Sequence, residues 1–127
     1  MSKPTIAVLG ASPDRTKFGN KAVRAYLQQG YDVYPVNPKG GEIEGLSVSH
    51  TLAEVPGGKL NRISVYLPPP VVLKLLDEIA ARGCDELWLN PGTESSEVVT
   101  RAEQLGLNVV MACSIVDIGV SPGTLAE

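Results

Sequence analysis

Five short apolar runs, beginning near residues 5, 31, 62, 86 and 107, are separated by stretches whose apolar residues fall at helical spacing. That alternation restricts the fold more than any other property of the chain. In Thr5–Leu9, Ile6, Val8 and Leu9 read as a parallel strand covered on both faces. Ala22, Val23, Tyr26 and Leu27 then mark a helix that stops at Gly30. Residues 31–36 form the second expected strand, followed by the loop Asn37-Pro-Lys-Gly-Gly41. Thr51-Leu-Ala-Glu54 has the spacing of a capping box and predicts a short helical turn, stopped by Pro56-Gly-Gly58. The third strand is expected over 62–67, closed by Pro68-Pro-Pro70. Proline is tolerated in a helical first turn, and Val72, Leu75, Leu76 and Ile79 form one helical face ending at Gly83. Strands over 86–89 and 107–111 flank a last helix through Val98, Ala102 and Leu105. The tail, 117–127, carries little periodicity.

Strands alternating with helices across short loops predict a parallel sheet with helices on both faces, because right-handed crossovers place them there. The expectation is an α/β chain with a Rossmann-like, doubly wound, five-stranded parallel sheet in three layers, α/β/α. Its 127 residues suit one domain over 1–127, with a core from about 5 to 115. A net charge of -3 argues against nucleic acid as a partner, and no apolar run nears the roughly 20 residues of a membrane span. Met1-Ser-Lys-Pro lacks a signal-peptide apolar region, so a cytoplasmic location is expected. The pattern specifies neither a protein partner nor a homo-oligomer. Cys84 and Cys113 form no C-x-x-C pair and read as small interior residues. One histidine, His50, cannot build a metal site of ordinary His/Cys spacing, and its polar surroundings make it a surface residue.

In such a sheet, ligands bind beyond the carboxyl ends of the strands, where the strand order switches. The residues there are Gly10-Ala-Ser12, Asn37-Pro-Lys39, Pro68-Pro-Pro70, Asn90-Pro-Gly92 and Ala112-Cys113. None of these segments holds a carboxylate pair, or a nucleophile beside a base. The set suits a binding crevice without catalytic residues. The backbone N–H groups of Gly10, Ala11 and Ser12 can approach an anion without side-chain obstruction. A dinucleotide loop, G-x-G-x-x-G, needs glycines at 12 and 15, where this chain has Ser12 and Arg15. The ribose-binding acid expected at the second strand end is replaced by Asn37, Pro38 and Lys39, which argues against NAD. Lys39 suits a phosphate on the adenosine ribose, and Arg15 and Lys17 add cations for a pyrophosphate. Tyr66, Leu67 and Pro68 read either as a core aromatic before a helix start or as an apolar wall for adenine or an acyl-carrying arm.

Taken together, Ile-Ala-Val-Leu-Gly-Ala-Ser12, Tyr-Pro-Val-Asn-Pro-Lys39 and Val-Tyr-Leu-Pro-Pro-Pro70 resemble the small single-domain CoA-binding proteins. Their fold is similar to the N-terminal CoA-binding domain of the succinyl-CoA synthetase alpha subunit. The resemblance implies coenzyme A or an acyl-CoA as ligand. It implies Gly10, Ala11 and Ser12 along the diphosphate, with Arg15 and Thr16 nearby. It also implies Asn37, Pro38 and Lys39 at the adenosine end, with Lys39 facing the ribose 3′-phosphate. Tyr66, Leu67 and Pro68 would flank the adenine or the pantetheine, with Asn90 and Gly92 bordering the crevice. Gly40-Gly41 predicts a mobile loop after Lys39. His50 does not match the synthetase's phosphorylated histidine, which belongs to a second domain, so ligase activity is not implied. The alternative is an NADP-dependent oxidoreductase or a redox-sensing nucleotide-binding domain. A third reading is a regulatory subunit in which Cys113, near the crevice mouth, forms a mixed disulfide with CoA.

Overall fold

A computed structural model describes residues 3–125. In chain order the elements are β1 (Thr5–Leu9), α1 (Phe18–Gln28), β2 (Asp32–Val36), a hairpin of β3 (Glu42–Ile43) and β4 (Leu46–Ser47), β5 (Leu60–Val65), α2 (Pro69–Arg82), β6 (Cys84–Leu89), α3 (Ser96–Gln104), β7 (Val109–Val110) and α4 (Ser114–Asp117). Five strands form one parallel sheet in the order β2-β1-β5-β6-β7. The chain leaves β1 to one side for β2 and to the other for β5, so the order switches between β1 and β5. This is the expected doubly wound α/β architecture.

Strand alternation divides the core into two layers. Ile6 and Val8 of β1 pack with Val33, Ala22, Val23 and Tyr26 on the α1 side, where Ile115 of α4 joins them. Ala7 and Leu9 face the other way, into a cluster with Ile63, Val65, Val72, Leu76 and Val98 from β5, α2 and α3. Pro35 lies in β2, which is paired within the sheet only to β1. An edge position tolerates its missing N–H.

Several boundaries differ from the sequence expectation. The third sheet strand runs over Leu60–Val65, two residues earlier than expected, so Tyr66 and Leu67 lie just past its carboxyl end, where Tyr66 N–H still donates to the Leu9 carbonyl at 2.8 Å. The fifth is only Val109–Val110. The hairpin at 42–47 was not expected. Its turn carries Glu44 at φ 50° and Gly45 at φ 80°, the left-handed pair of a tight hairpin turn. The short helix after β7 contributes Ile115 to the core, and the aperiodic tail contributes Leu125 beside a 3-10 turn.

The capping box at Thr51 does not form. Residues Leu52–Glu54 make one 3-10 turn, and the Glu54 N–H donates to the Thr51 carbonyl at 3.1 Å rather than to its hydroxyl. The Glu54 carboxylate reaches past Thr51 to accept from His50 N–H at 3.2 Å. Arg82, in the last turn of α2, fastens this segment from below. Its guanidinium donates to the carbonyls of Leu52, Val55, Pro56, Gly57 and Gly58 over 2.5–3.2 Å. Among the described residues no helix is long and apolar enough to cross a membrane.

Candidate functional site at the strand carboxyl ends

The site begins where β1 stops. Gly10 has φ 85°, and a Cβ there would lie 2.9 Å from the Tyr66 carbonyl carbon and 3.1 Å from Leu67 Cδ2. Glycine is therefore needed twice, for its conformation and for the approach of the β5 end. The following loop is shaped by its own side chains. The Ser12 hydroxyl accepts from Asp14 N–H at 3.1 Å, and Asp14 Oδ1 accepts from the N–H and hydroxyl of Thr16 at 3.0 and 2.7 Å. Those Thr16 bonds hold the Asp14 carboxyl below its ordinary range.

The loop ends at Lys17, the N-cap of α1, which offers no side-chain cap. In α3, by contrast, Ser95 accepts from Val98 N–H at 3.2 Å. The first-turn N–H groups of α1 are thus left without a side-chain cap, beside the loop. Gly19 in that turn sits against Gly10, and a Cβ on it would run into the Gly10 carbonyl oxygen. Close helix–strand packing is the task of the third glycine in dinucleotide loops. Here the same contact is made nine positions after Gly10 instead of five, so fixed spacing did not reveal it.

A buried pair frames the loop from behind. Asn20 donates to the Ser12 carbonyl at 2.9 Å and to Glu44 Oε2 at 3.1 Å, and accepts from Arg24 Nε at 2.7 Å. Arg24 also donates to the Arg15 carbonyl at 2.8 Å. Glu44, at the hairpin tip, comes within 3.7 Å of Arg15 Nε. Arg15 is consequently shared between the loop and a carboxylate that the sequence placed nowhere near it. Lys17 and Lys39 are exposed.

Asn37 links the second strand end to the first. Its amide donates to the Ala11 carbonyl at 2.8 Å and its own side-chain oxygen accepts from Lys39 N–H at 2.8 Å. A carboxylate could not make the first of these bonds, which gives a physical reason for the missing ribose acid. Pro38 follows, and Gly40 N–H closes a turn onto the Asn37 carbonyl at 2.9 Å. Gly40 has φ 66°, and a Cβ there would lie 3.0 Å from His50 Cδ2. Its absent side chain makes room for the imidazole.

Two cavities meet at Gly10 and Leu67. One, of about 370 Å³, lies over β1, β5 and β6 between Phe18, Gly19, Tyr66, Pro68, Gly92 and Thr93. The other, of about 270 Å³, opens toward α2 and is walled by Val36, Pro38, Leu52, Val71, Leu75 and Ile79. Pro69 and Pro70 occupy the first two positions of α2, with Pro68 as its N-cap. That helix start lacks the N–H groups that α1 presents. A wider groove of about 540 Å³ runs along α2 and α3 past Leu73, Thr100 and Arg101 and includes no strand-end residue.

Asn90 is placed differently from its neighbours. It is 1% exposed, and its amide donates to Ser64 Oγ and the Val65 carbonyl, both at 2.8 Å. Its oxygen accepts from Ser114 N–H at 2.9 Å. The side chain is spent on holding β5, β6 and α4 together beneath the crevice, while Gly92 lines the larger cavity. Ser64 Oγ lies 2.7 Å from Ser114 Oγ, which is 3.3 Å from the Tyr66 hydroxyl. Burial pushes the Tyr66 phenol up to about 12, so it stays protonated at neutral pH. Cys113 is half-buried near this cluster, and Cys84 is half-buried at the start of β6.

A family model described as a CoA binding domain matches residues 4–118. The chain belongs to the CoA-binding domain family. Among relatives, this CoA-binding domain is 37% identical over 82 residues to a trans-feruloyl-CoA synthase from an unknown prokaryotic organism, matching 63% of this chain and 12% of that protein. It is 32% identical over 85 residues to the ADP-forming acetate–CoA ligase I subunit alpha of Pyrococcus furiosus, matching 62% of this chain and 18% of the subunit. These matches take in less than a fifth of either relative. Among solved structures, a conserved hypothetical protein from Pyrococcus furiosus superposes with a TM-score of 0.81 at 34% identity, covering 90% of this chain and 98% of that one. The CoA-binding domain is therefore related both to parts of CoA ligases and to a protein of its own size.

Proposed function

We propose that this domain binds coenzyme A or an acyl-CoA across the carboxyl ends of β1, β2, β5 and β6, without acid–base machinery of its own. The observation that carries the reading is the pairing of one uncapped helix N-terminus with two adjoining cavities of different character. Gly10, Ala11, Ser12 and the first turn of α1 line the diphosphate; the Gly10 N–H donates to the Val36 carbonyl at 3.3 Å, so the backbone donors come from the N–H groups after it, where the helix dipole also favours an anion. Arg15, Thr16 and Lys17 lie alongside. The adenosine rests on Asn37 and Pro38 with its base in the apolar cavity, and Lys39 meets the ribose 3′-phosphate. The pantetheine runs past Tyr66, Leu67 and Pro68 toward Gly92.

Isothermal titration with CoA, dephospho-CoA and NADP tests this. CoA binds saturably, dephospho-CoA binds more weakly because Lys39 loses its partner, and NADP binds least. Equal affinities for CoA and dephospho-CoA would remove Lys39 from the site. No heat with either would overturn the reading, and tight NADP binding alone would favour the oxidoreductase alternative.

A further inference from the structure

The apolar cavity has few polar groups on its wall, namely His50, Thr51 and Glu78. Glu78 is engaged, because its Oε1 accepts from Ala53 N–H at 3.3 Å. Thr51 carries a rotatable hydroxyl that serves equally as donor or acceptor, so it cannot tell one base from another. His50 is different, because its ring is held on two sides. Nδ1 lies 3.1 Å from Glu54 Oε1, the same oxygen that accepts from His50 N–H. The Nε2 end of the ring lies against Gly40, where a Cβ would run into that nitrogen and glycine leaves it uncovered.

The Glu54 pair settles the tautomer. The His50 ring and backbone N–H hold the Glu54 carboxyl below its ordinary range, so it is ionised and acts only as an acceptor. Nδ1 therefore carries the proton. In a neutral imidazole Nε2 is then an acceptor with a fixed direction. Among the described residues nothing hydrogen-bonds to it. A fixed acceptor beside an apolar, ring-sized space fits a flat heteroaromatic that carries an N–H donor on its edge.

We propose that His50, oriented by Glu54, reads the 6-position of the bound purine, with Nε2 accepting a hydrogen bond from the exocyclic amine of adenine. The inference rests on the coenzyme A reading and adds a specificity residue to it. A 6-oxo purine turns a carbonyl toward the same nitrogen, so acceptor meets acceptor and neither is satisfied. A site built to pair with a donor discriminates strongly against an analogue lacking one.

The test titrates the domain with adenosine 3′,5′-bisphosphate and inosine 3′,5′-bisphosphate, which differ in the 6-substituent of the base and in the N1 proton that accompanies the 6-oxo group. The wild-type domain prefers the adenine ligand by on the order of tenfold. His50→Phe keeps a flat ring on the cavity wall, so it binds the adenine ligand with reduced affinity and brings the ratio close to one. The His50 side chain is 57% exposed, so the change leaves the core untouched. Glu54→Gln, at a second exposed position, no longer enforces the tautomer and gives an intermediate ratio. Equal binding of the two ligands by the wild-type domain, or an unchanged preference in His50→Phe, overturns the inference and leaves coenzyme A binding standing. Failure of CoA and both bisphosphates to bind overturns the two together.

Discussion

Gly19 is seated on Gly10: the first turn of α1 touches the end of β1 with no side chain between them. Helix propensity alone favours alanine over glycine at position 19 by about 1 kcal/mol. The obstacle here is a backbone carbonyl anchored at a strand end, which cannot rotate away. Gly19→Ala is therefore expected to lower stability by about 1–3 kcal/mol, the usual range for overpacking, and to weaken CoA binding by displacing the loop. Gly58→Ala is the control, because nothing lies within 4 Å of a Cβ there. Urea midpoints of the two variants check the difference, and equal midpoints would contradict it.

Asn37→Asp probes the link between the first two strand ends. The carboxylate would face the Ala11 carbonyl as acceptor against acceptor, replacing a 2.8 Å hydrogen bond. A loss of about 1–3 kcal/mol in stability is expected, with weaker CoA affinity. Chemical denaturation and titration measure both. Full retention of both would show that the Asn37 amide holds nothing in place.

Glu44 competes for Arg15. The pair is partly exposed, at 48% and 22%, and an exposed ion pair is worth about 0.2–1 kcal/mol. Glu44→Gln keeps an oxygen for Asn20 while releasing the guanidinium. CoA affinity should rise by up to about fivefold at low salt, with a smaller gain at high salt. Should affinity stay flat at every ionic strength, Arg15 takes no part in anion binding.

Alkaline pH provides a further check. Burial raises the Cys84 thiol from 9.0 to about 11, so the folded chain keeps a proton that the unfolded chain gives up. Its contribution to stability is complete below pH 9 and is lost as the pH climbs to about 11. Tyr66 acts in the same direction between 10 and about 12. Urea midpoints at several pH values above 8 should fall, and fall less steeply in Cys84→Ala. An identical slope in the variant would place the loss elsewhere, in Tyr66 or in the Lys59–Asp85 pair.

The sheet was legible in the sequence because its strands are buried on both faces, as the continuous run from Ile6 to Leu9 shows. The hairpin strands were not. Two-residue elements such as Glu42–Ile43 and Leu46–Ser47 are too brief to alternate. Loop residues 10–12 and 37–39 could be placed because they directly follow strands. Gly19 escaped notice because helix–strand contact depends on loop length, and this loop is longer than the dinucleotide spacing allows. His50 reads from the sequence as a surface residue and is exposed; its contact with Gly40 is tertiary and left no signal, whereas the pair with Glu54 four residues later was available. Asn90 was placed correctly in the chain, yet Ser64 and Ser114 turn its amide inward, an orientation that no spacing rule encodes.

The prolines at the head of α2 have one more consequence. Two helices begin at the crevice, and Pro69 and Pro70 strip one of them of its first N–H donors. Positive potential from backbone dipoles is concentrated at the other, beside Gly10. The crevice is asymmetric in its main chain, before any lysine or arginine is counted. On the proposed function, a molecule with an anionic middle and a neutral arm would be accepted one way round only. Changing surface charges would alter how tightly it is held, and reversing its direction would require moving the prolines.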